Sequence, residues 1–140
     1  GFPIPGEKAI CSYDEDAVTM AWDAVSDCLA GGDPKKLGGL YLATTCLPYV
    51  EKQCAAIVAA ALDMGDHIRT GDFTNSLRCG TTALLSAVDA VKAGTANNLM
   101  VASADCRMGA PAGMGEAMYG DGSAALLIGD VFDGGGIVCG

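Results

Sequence analysis

Apolar and polar residues follow one another along the chain in a pattern that predicts alternating helices and strands. Within residues 14–29 the apolar side chains recur at helical spacing, and Gly31 and Gly32, followed by Pro34, predict the end of that helix. Residues 37–44 form a short, continuous apolar run, which is typical of a buried parallel strand. The same reasoning predicts two further helices, at residues 51–64 and 79–93, and four further strands, at residues 67–73, 99–104, 123–128 and 137–139.

This order of elements predicts an α/β layered fold with parallel strand pairing, since helices alternate with strands. A glycine-rich loop is expected at residues 109–115. The helix at residues 79–93 carries charge only at Asp89 and Lys92, so we expect it to be a buried central helix. The strand at residues 137–139 is cut short by the last residue, which suggests a fragment.

The size, charge and cysteine spacing of the chain exclude several classes of function. The chain has 140 residues, the usual size of one domain, and it is 51% hydrophobic with a formal charge of -9. This charge would repel a phosphate backbone, so nucleic acid is not an expected partner. No apolar run is long enough to cross a bilayer and no leader is visible, so we expect no membrane association and a cytoplasmic location. The seven Cys residues include no C-x-x-C pair, so neither a zinc site nor a disulfide framework is indicated.

Cys79 is the strongest candidate nucleophile. It opens the predicted helix at residues 79–93, and the positive end of a helix lowers the pKa of a thiol. Backbone N–H groups at the same turn could hold an oxyanion, and Gly80, the next residue, could line the site. The alternative is that Cys79 is one more inert, buried cysteine.

Three motifs, in this order and spacing, resemble the amino-terminal half of the hydroxymethylglutaryl-CoA synthases of the thiolase superfamily, particularly the archaeal type. More distantly they resemble the ketoacyl synthase III enzymes. The first is the acidic helix opening at residues 14–21. The second is Cys79-Gly80, preceded by residues 72–75, and the third is the glycine-rich turn and strand at residues 119–129.

The resemblance implies a thiolase-like layered fold with a mixed sheet and a buried central helix, of which residues 1–140 would be the amino-terminal half, incomplete at both ends. It implies that Cys79 accepts an acyl group from acyl-CoA, a substrate, with no permanently bound cofactor and no metal. It also implies a homodimer formed through the strand at residues 99–104. A thiolase and a small acyl-CoA-binding protein are further partners that it suggests.

One departure from the family pattern bears on the reaction. Thr45 stands where the synthases carry a catalytic glutamate, and a threonine cannot act as that carboxylate. This favours Claisen-type ketoacyl synthase or thiolase chemistry. Cys46 would then be either a second thiol lining the site or a packed apolar residue. His67, the only histidine, matches no catalytic position and is expected at the surface.

Two hypotheses therefore stay open. The first is a cysteine-dependent acyl-CoA condensing enzyme, inactive as the isolated 140-residue chain because the catalytic histidine of the family lies in its carboxy-terminal half. The second is a non-catalytic thiolase-like subunit that pairs with an active partner.

Overall fold

The computed structural model describes residues 6–129, which form a four-stranded sheet covered by helices. The strands are β1 (Gly39–Ala43), β2 (Arg69–Phe73), β3 (Leu99–Asp105) and β4 (Gly122–Ile128). They lie in the order β2-β1-β3-β4, with β1 parallel to both of its neighbours and β4 antiparallel to β3. The mixed sheet of the expected fold is confirmed, although parallel pairing does not extend to β4.

Helices cover both faces of this sheet. They are α1 (Ala17–Leu29), α2 (Cys54–Ala61), α3 (Cys79–Lys92) and the short α4 (Met114–Met118), with a 3₁₀ turn at Pro34–Lys36. Alternate side chains of a strand point to opposite faces, so Leu40 and Leu42 of β1 pack with α1 and α2, whereas Tyr41 and Ala43 pack with α3. The molecule is therefore a three-layer sandwich with two apolar cores.

The start of α1 shows how its sequence sets its boundary. Asp16 is the N-cap: its carboxylate accepts hydrogen bonds from the backbone N–H groups of Val18 and Thr19, both at 2.9 Å. The Thr19 hydroxyl in turn accepts from the Asp16 N–H, which completes a capping box. The helix ends at Leu29, after which Ala30 and Gly31 adopt left-handed conformations.

Helix α3 differs from its prediction in how much of it is buried. It lies on one face of the sheet and buries a single stripe, formed by Cys79, Ala83, Ala87 and Ala90. Its other side is open in the described part of the chain, where Leu85 is 58% exposed. The alanine stripe lets the helix approach the sheet closely, but burial all round is not seen in residues 6–129.

Most other boundaries agree with the prediction to within three residues. The last two residues of the expected loop at residues 109–115 belong to α4 instead. The strand predicted at residues 137–139 lies outside the described residues. Within residues 6–129 no helix is long and apolar enough to cross a membrane.

Candidate active site

The carboxyl ends of β1 and β3, the two central strands, lie beside the amino end of α3. Ala43, the last residue of β1, lies opposite Ser103 of β3. Ser103 also lies beneath the first turn of α3, because a Cβ built on Gly80 would be 3.5 Å from its hydroxyl oxygen. Ligands of α/β sheets bind where parallel strands end, so these strand ends are the candidate site.

Asp105 connects the two strand ends and was not anticipated from the sequence. Its Oδ1 accepts hydrogen bonds from the Thr44 hydroxyl at 2.9 Å, the Thr45 N–H at 2.6 Å and the Thr45 hydroxyl at 3.1 Å. Thr44 is only 1% exposed, so its hydroxyl needs such a partner. The one indication in the sequence is that Asp105 directly follows the apolar run at residues 99–104.

Cys79 is the first residue of α3, as predicted, but its surroundings on balance raise the pKa of its thiol. The residue is 7% exposed and belongs to the apolar core that contains Tyr41 and Ala43. Burial, followed by the negative charge of Asp105, raises the pKa of the Cys79 thiol, whereas the backbone N–H groups of Gly80 and Cys79 lower it by a smaller amount. The helix start therefore lowers the pKa of this thiol in the expected direction, but burial and Asp105 raise it by more.

A second cysteine offers a direct comparison, because Cys54 opens α2 as Cys79 opens α3. The carboxylate of Asp72, in β2, accepts hydrogen bonds from the Cys54 N–H at 2.6 Å and the Ala55 N–H at 2.7 Å. That charge compensates the positive end of α2. No side chain caps α3, whose N-cap residue is Arg78. The Cys79 N–H donates to the Ser76 carbonyl oxygen at 3.0 Å, so an anion at the start of α3 would bind the N–H groups that follow, beginning with that of Gly80.

The two other predicted lining residues divide between the faces of the sheet. Thr45 is half-buried and is held by Asp105, close to the start of α3. Cys46 packs against the opposite core, which contains α1 and α2, although its Sγ also lies 3.6 Å from the Thr45 hydroxyl. Thr45 thus lies at the strand ends on the same side as Cys79, whereas Cys46 lies on the opposite face of the sheet.

Other charged or polar side chains have structural partners or lie in solvent. His67 is exposed, as predicted, and Lys35 forms an exposed ion pair with Asp63 at 3.0 Å. Arg107 stacks 4.2 Å from the ring centre of Tyr119. Among residues 6–129 no group of three metal-ligating side chains could hold a metal ion.

The curated proteins that are similar to this chain include hydroxymethylglutaryl-CoA synthases of archaea. The chain is 35% identical over 123 residues to the hydroxymethylglutaryl-CoA synthase of Methanocella arvoryzae, an alignment that covers 87% of this chain and 35% of that protein. It is also 35% identical over 131 residues to the hydroxymethylglutaryl-CoA synthase of Pyrococcus furiosus, covering 92% of this chain and 37% of that protein. The chain thus spans about a third of the length of these relatives. No protein-family model matches it.

Two solved structures share the fold of this chain. MvaS in complex with 3-hydroxy-3-methylglutaryl coenzyme A superposes with a TM-score of 0.80 at 26% identity, over 87% of this chain and 30% of that one. The 3-oxoacyl-[acyl-carrier-protein] synthase III of Aquifex aeolicus superposes with a TM-score of 0.77 at 23% identity, over 90% of this chain and 42% of that one. The second likeness concerns the fold alone.

Proposed function

Because the chain belongs to the thiolase superfamily and is similar to the hydroxymethylglutaryl-CoA synthases, we propose that the intact protein is an acyl-CoA condensing enzyme in which Cys79 carries the acyl group. The observation that carries the proposal is the position of Cys79 at the first residue of α3, an uncapped helix start, beside the carboxyl ends of β1 and β3. A helix start of this kind can stabilise a thiolate and the oxyanion of an acyl-transfer intermediate.

The proposed reaction has two stages. In the first, the Cys79 Sγ attacks the carbonyl carbon of an acyl-CoA, the bond from that carbon to the CoA sulfur breaks, and free CoA leaves with a proton. In the second, the α-carbon of another acyl-CoA, after losing a proton to a base, attacks the new thioester. A carbon–carbon bond forms and Cys79 is released as a thiolate.

Thr45 does not supply the base, and Asp105 has a structural role here. Thr45 can donate or accept a hydrogen bond but cannot take up a proton near neutral pH, and Asp105 Oδ1 accepts the three hydrogen bonds that join the strand ends. We therefore expect the base to come from residues beyond the chain described here, since the relatives are about three times as long. A Claisen-type condensation, which needs no carboxylate at position 45, fits Thr45 better than the aldol-type synthase reaction.

A second candidate function, a non-catalytic thiolase-like subunit, is favoured by the burial of Cys79. Its side chain is 7% exposed in an apolar core, and the net effect of its surroundings raises its pKa. Both features are typical of an inert structural cysteine. In this case the chain would pair with an active partner, and its own strand-end site would not catalyse a reaction.

Release of free CoA from a short acyl-CoA distinguishes the two candidates. The intact protein, its Cys79→Ala variant and its Cys54→Ala variant would be compared, because Cys54 is buried at the start of a helix whose N–H groups are already occupied by Asp72. An enzyme releases CoA in the wild type and in Cys54→Ala but not in Cys79→Ala. Equal, background release from all three would favour the non-catalytic subunit.

A further inference from the structure

Two cysteines follow neighbouring strands at the same level of the sheet. Ala43 of β1 lies opposite Ser103 of β3, and one step beyond Thr44 the Thr45 N–H still reaches Asp105 Oδ1 at 2.6 Å. Backbone pairing ends at Ala43 and Thr45 lies in a bend, but Cys46 and Cys106 each directly follow one partner of this hydrogen bond. Adjacent strands lie about 4.8 Å apart, and disulfides join residues whose Cα atoms are about 4.4–6.8 Å apart.

The surroundings of Cys106 support this juxtaposition independently. Both cysteines are half-buried and pack against the same core, on the α1 and α2 side of the sheet. After burial, the closeness of Cys46 and then of Cys11 contributes most to raising the pKa of Cys106, to about 11. Cys11 is held nearby, since its N–H donates to Asp121 Oδ2 at 2.9 Å and Asp121 also faces Cys106.

We propose that Cys46 and Cys106 are a redox-active dithiol, which a peroxide converts into a disulfide joining the carboxyl ends of β1 and β3. The Cys46 sulfur attacks hydrogen peroxide, breaking the O–O bond and giving a sulfenic acid and one water. The Cys106 sulfur then attacks the Cys46 sulfur, displacing a second water and forming the S–S bond. Two thiols and one peroxide thus become one disulfide and two waters.

This disulfide would lie on the face of the sheet opposite α3, next to two residues of the candidate active site. Cys46 is next to Thr45 in sequence, and Cys106 is next to Asp105, so the disulfide would fix the relative position of the two residues whose hydrogen bond closes the strand ends. Unlike the proposed acyl transfer, the modification does not involve Cys79. The two proposals can therefore fail separately.

Peptide mapping under non-reducing conditions tests the pairing in the intact protein. The protein would be treated with hydrogen peroxide, alkylated and digested without reductant, and then analysed by mass spectrometry. We expect a peptide linked through Cys46 and Cys106 that separates on addition of dithiothreitol. Full alkylation of both residues after oxidation, or a bridge from either one to Cys11, would overturn the proposal.

Single substitutions sharpen the test. Cys106→Ser should abolish the linked peptide, whereas Cys28→Ser, which removes another half-buried cysteine that packs against the same core, should leave it unchanged. Cys106→Ala serves if the serine variant does not fold. Because mapping of the wild-type protein needs no variant, its result decides the proposal on its own. Loss of peroxide-induced linkage in Cys28→Ser but not in Cys106→Ser would also contradict it.

Discussion

Two substitutions of Asp105 separate the effect of its charge on the candidate site from the effect of its hydrogen bonds. Replacing Asp105 with Ala removes three hydrogen bonds. The hydroxyl of Thr44, a residue that is 1% exposed, then keeps the Cys46 N–H as its one partner among residues 6–129. A hydrogen bond to a charged group contributes about 1.5–3 kcal/mol, and three that share one oxygen contribute less than their sum. We expect Asp105→Ala to lower the free energy of unfolding by about 3–4 kcal/mol.

Asp105→Asn keeps an acceptor oxygen but removes the charge. Its expected cost is about 1 kcal/mol, the difference between charged and neutral hydrogen bonds. Asp105 raises the pKa of Cys79, so removing its charge should lower that pKa and increase the thiolate fraction at any pH below it. The Cys79 alkylation rate with iodoacetamide should therefore rise in Asp105→Asn, with its pH profile displaced to lower pH.

Urea unfolding and alkylation followed by mass spectrometry measure the two effects. Asp89→Asn is the matched control, since it removes an exposed carboxylate from the far end of α3 and should alter neither quantity appreciably. Equal losses of stability in the Ala and Asn variants, or an unchanged or slower alkylation of Cys79 in Asp105→Asn, would refute the assignment of Asp105 as the charged link between β1, β3 and the start of α3.

Three further substitutions test packing, capping and the site turn. Gly39→Ala would bring a Cβ into collision with the Arg69 carbonyl oxygen, so we expect urea unfolding to show a loss of about 2–3 kcal/mol. Gly122→Ala is the control, since Gly122 also opens a strand but a Cβ there would meet no atom within 4 Å, and it should change stability little. Asp72→Ala removes both N–H acceptors at the start of α2 and should cost about 1–2 kcal/mol by the same measurement; no loss would contradict its capping role. Gly80→Ala makes only ordinary contacts and should stabilise α3 by about 0.5 kcal/mol, yet slow CoA release if acyl-CoA approaches the backbone there; undiminished release would exclude that approach.

Elements with a strong local pattern could be predicted from the sequence. The continuous apolar runs of β1 and β3 are buried in the middle of the sheet, as expected. The acidic residues before α1 correctly indicated its start, although Asp16 acts as a hydrogen-bonding cap rather than as a charge within the first turn. The start of α3 at Cys79 is likewise confirmed.

Contacts between distant residues account for what the sequence did not reveal. Helix α2 begins at Cys54, three residues later than predicted, where the Asp72 carboxylate from β2 meets its first N–H groups. The hydrogen bonds of Asp105 reach residues 60 and 61 positions away. The direction of β4 depends on its pairing with β3, which local periodicity does not encode.

The thiol of Cys79 shows the same limit for chemistry. Its position at a helix start predicted a lowered pKa, but burial against alanine and tyrosine side chains and the nearby Asp105 carboxylate outweigh the helix N–H groups. Burial of this kind depends on the packing of α3 against β1, and no local pattern in the sequence reports it.

The identity of the acylated residue tests the central claim most directly. The intact protein would be mixed with a short acyl-CoA, quenched in acid to preserve thioesters, digested and sequenced by mass spectrometry. We expect the added acyl mass on the peptide that contains Cys79, removable by hydroxylamine. An acyl group found on another cysteine, or on none while the protein still consumes acyl-CoA, would contradict Cys79 as the acyl carrier.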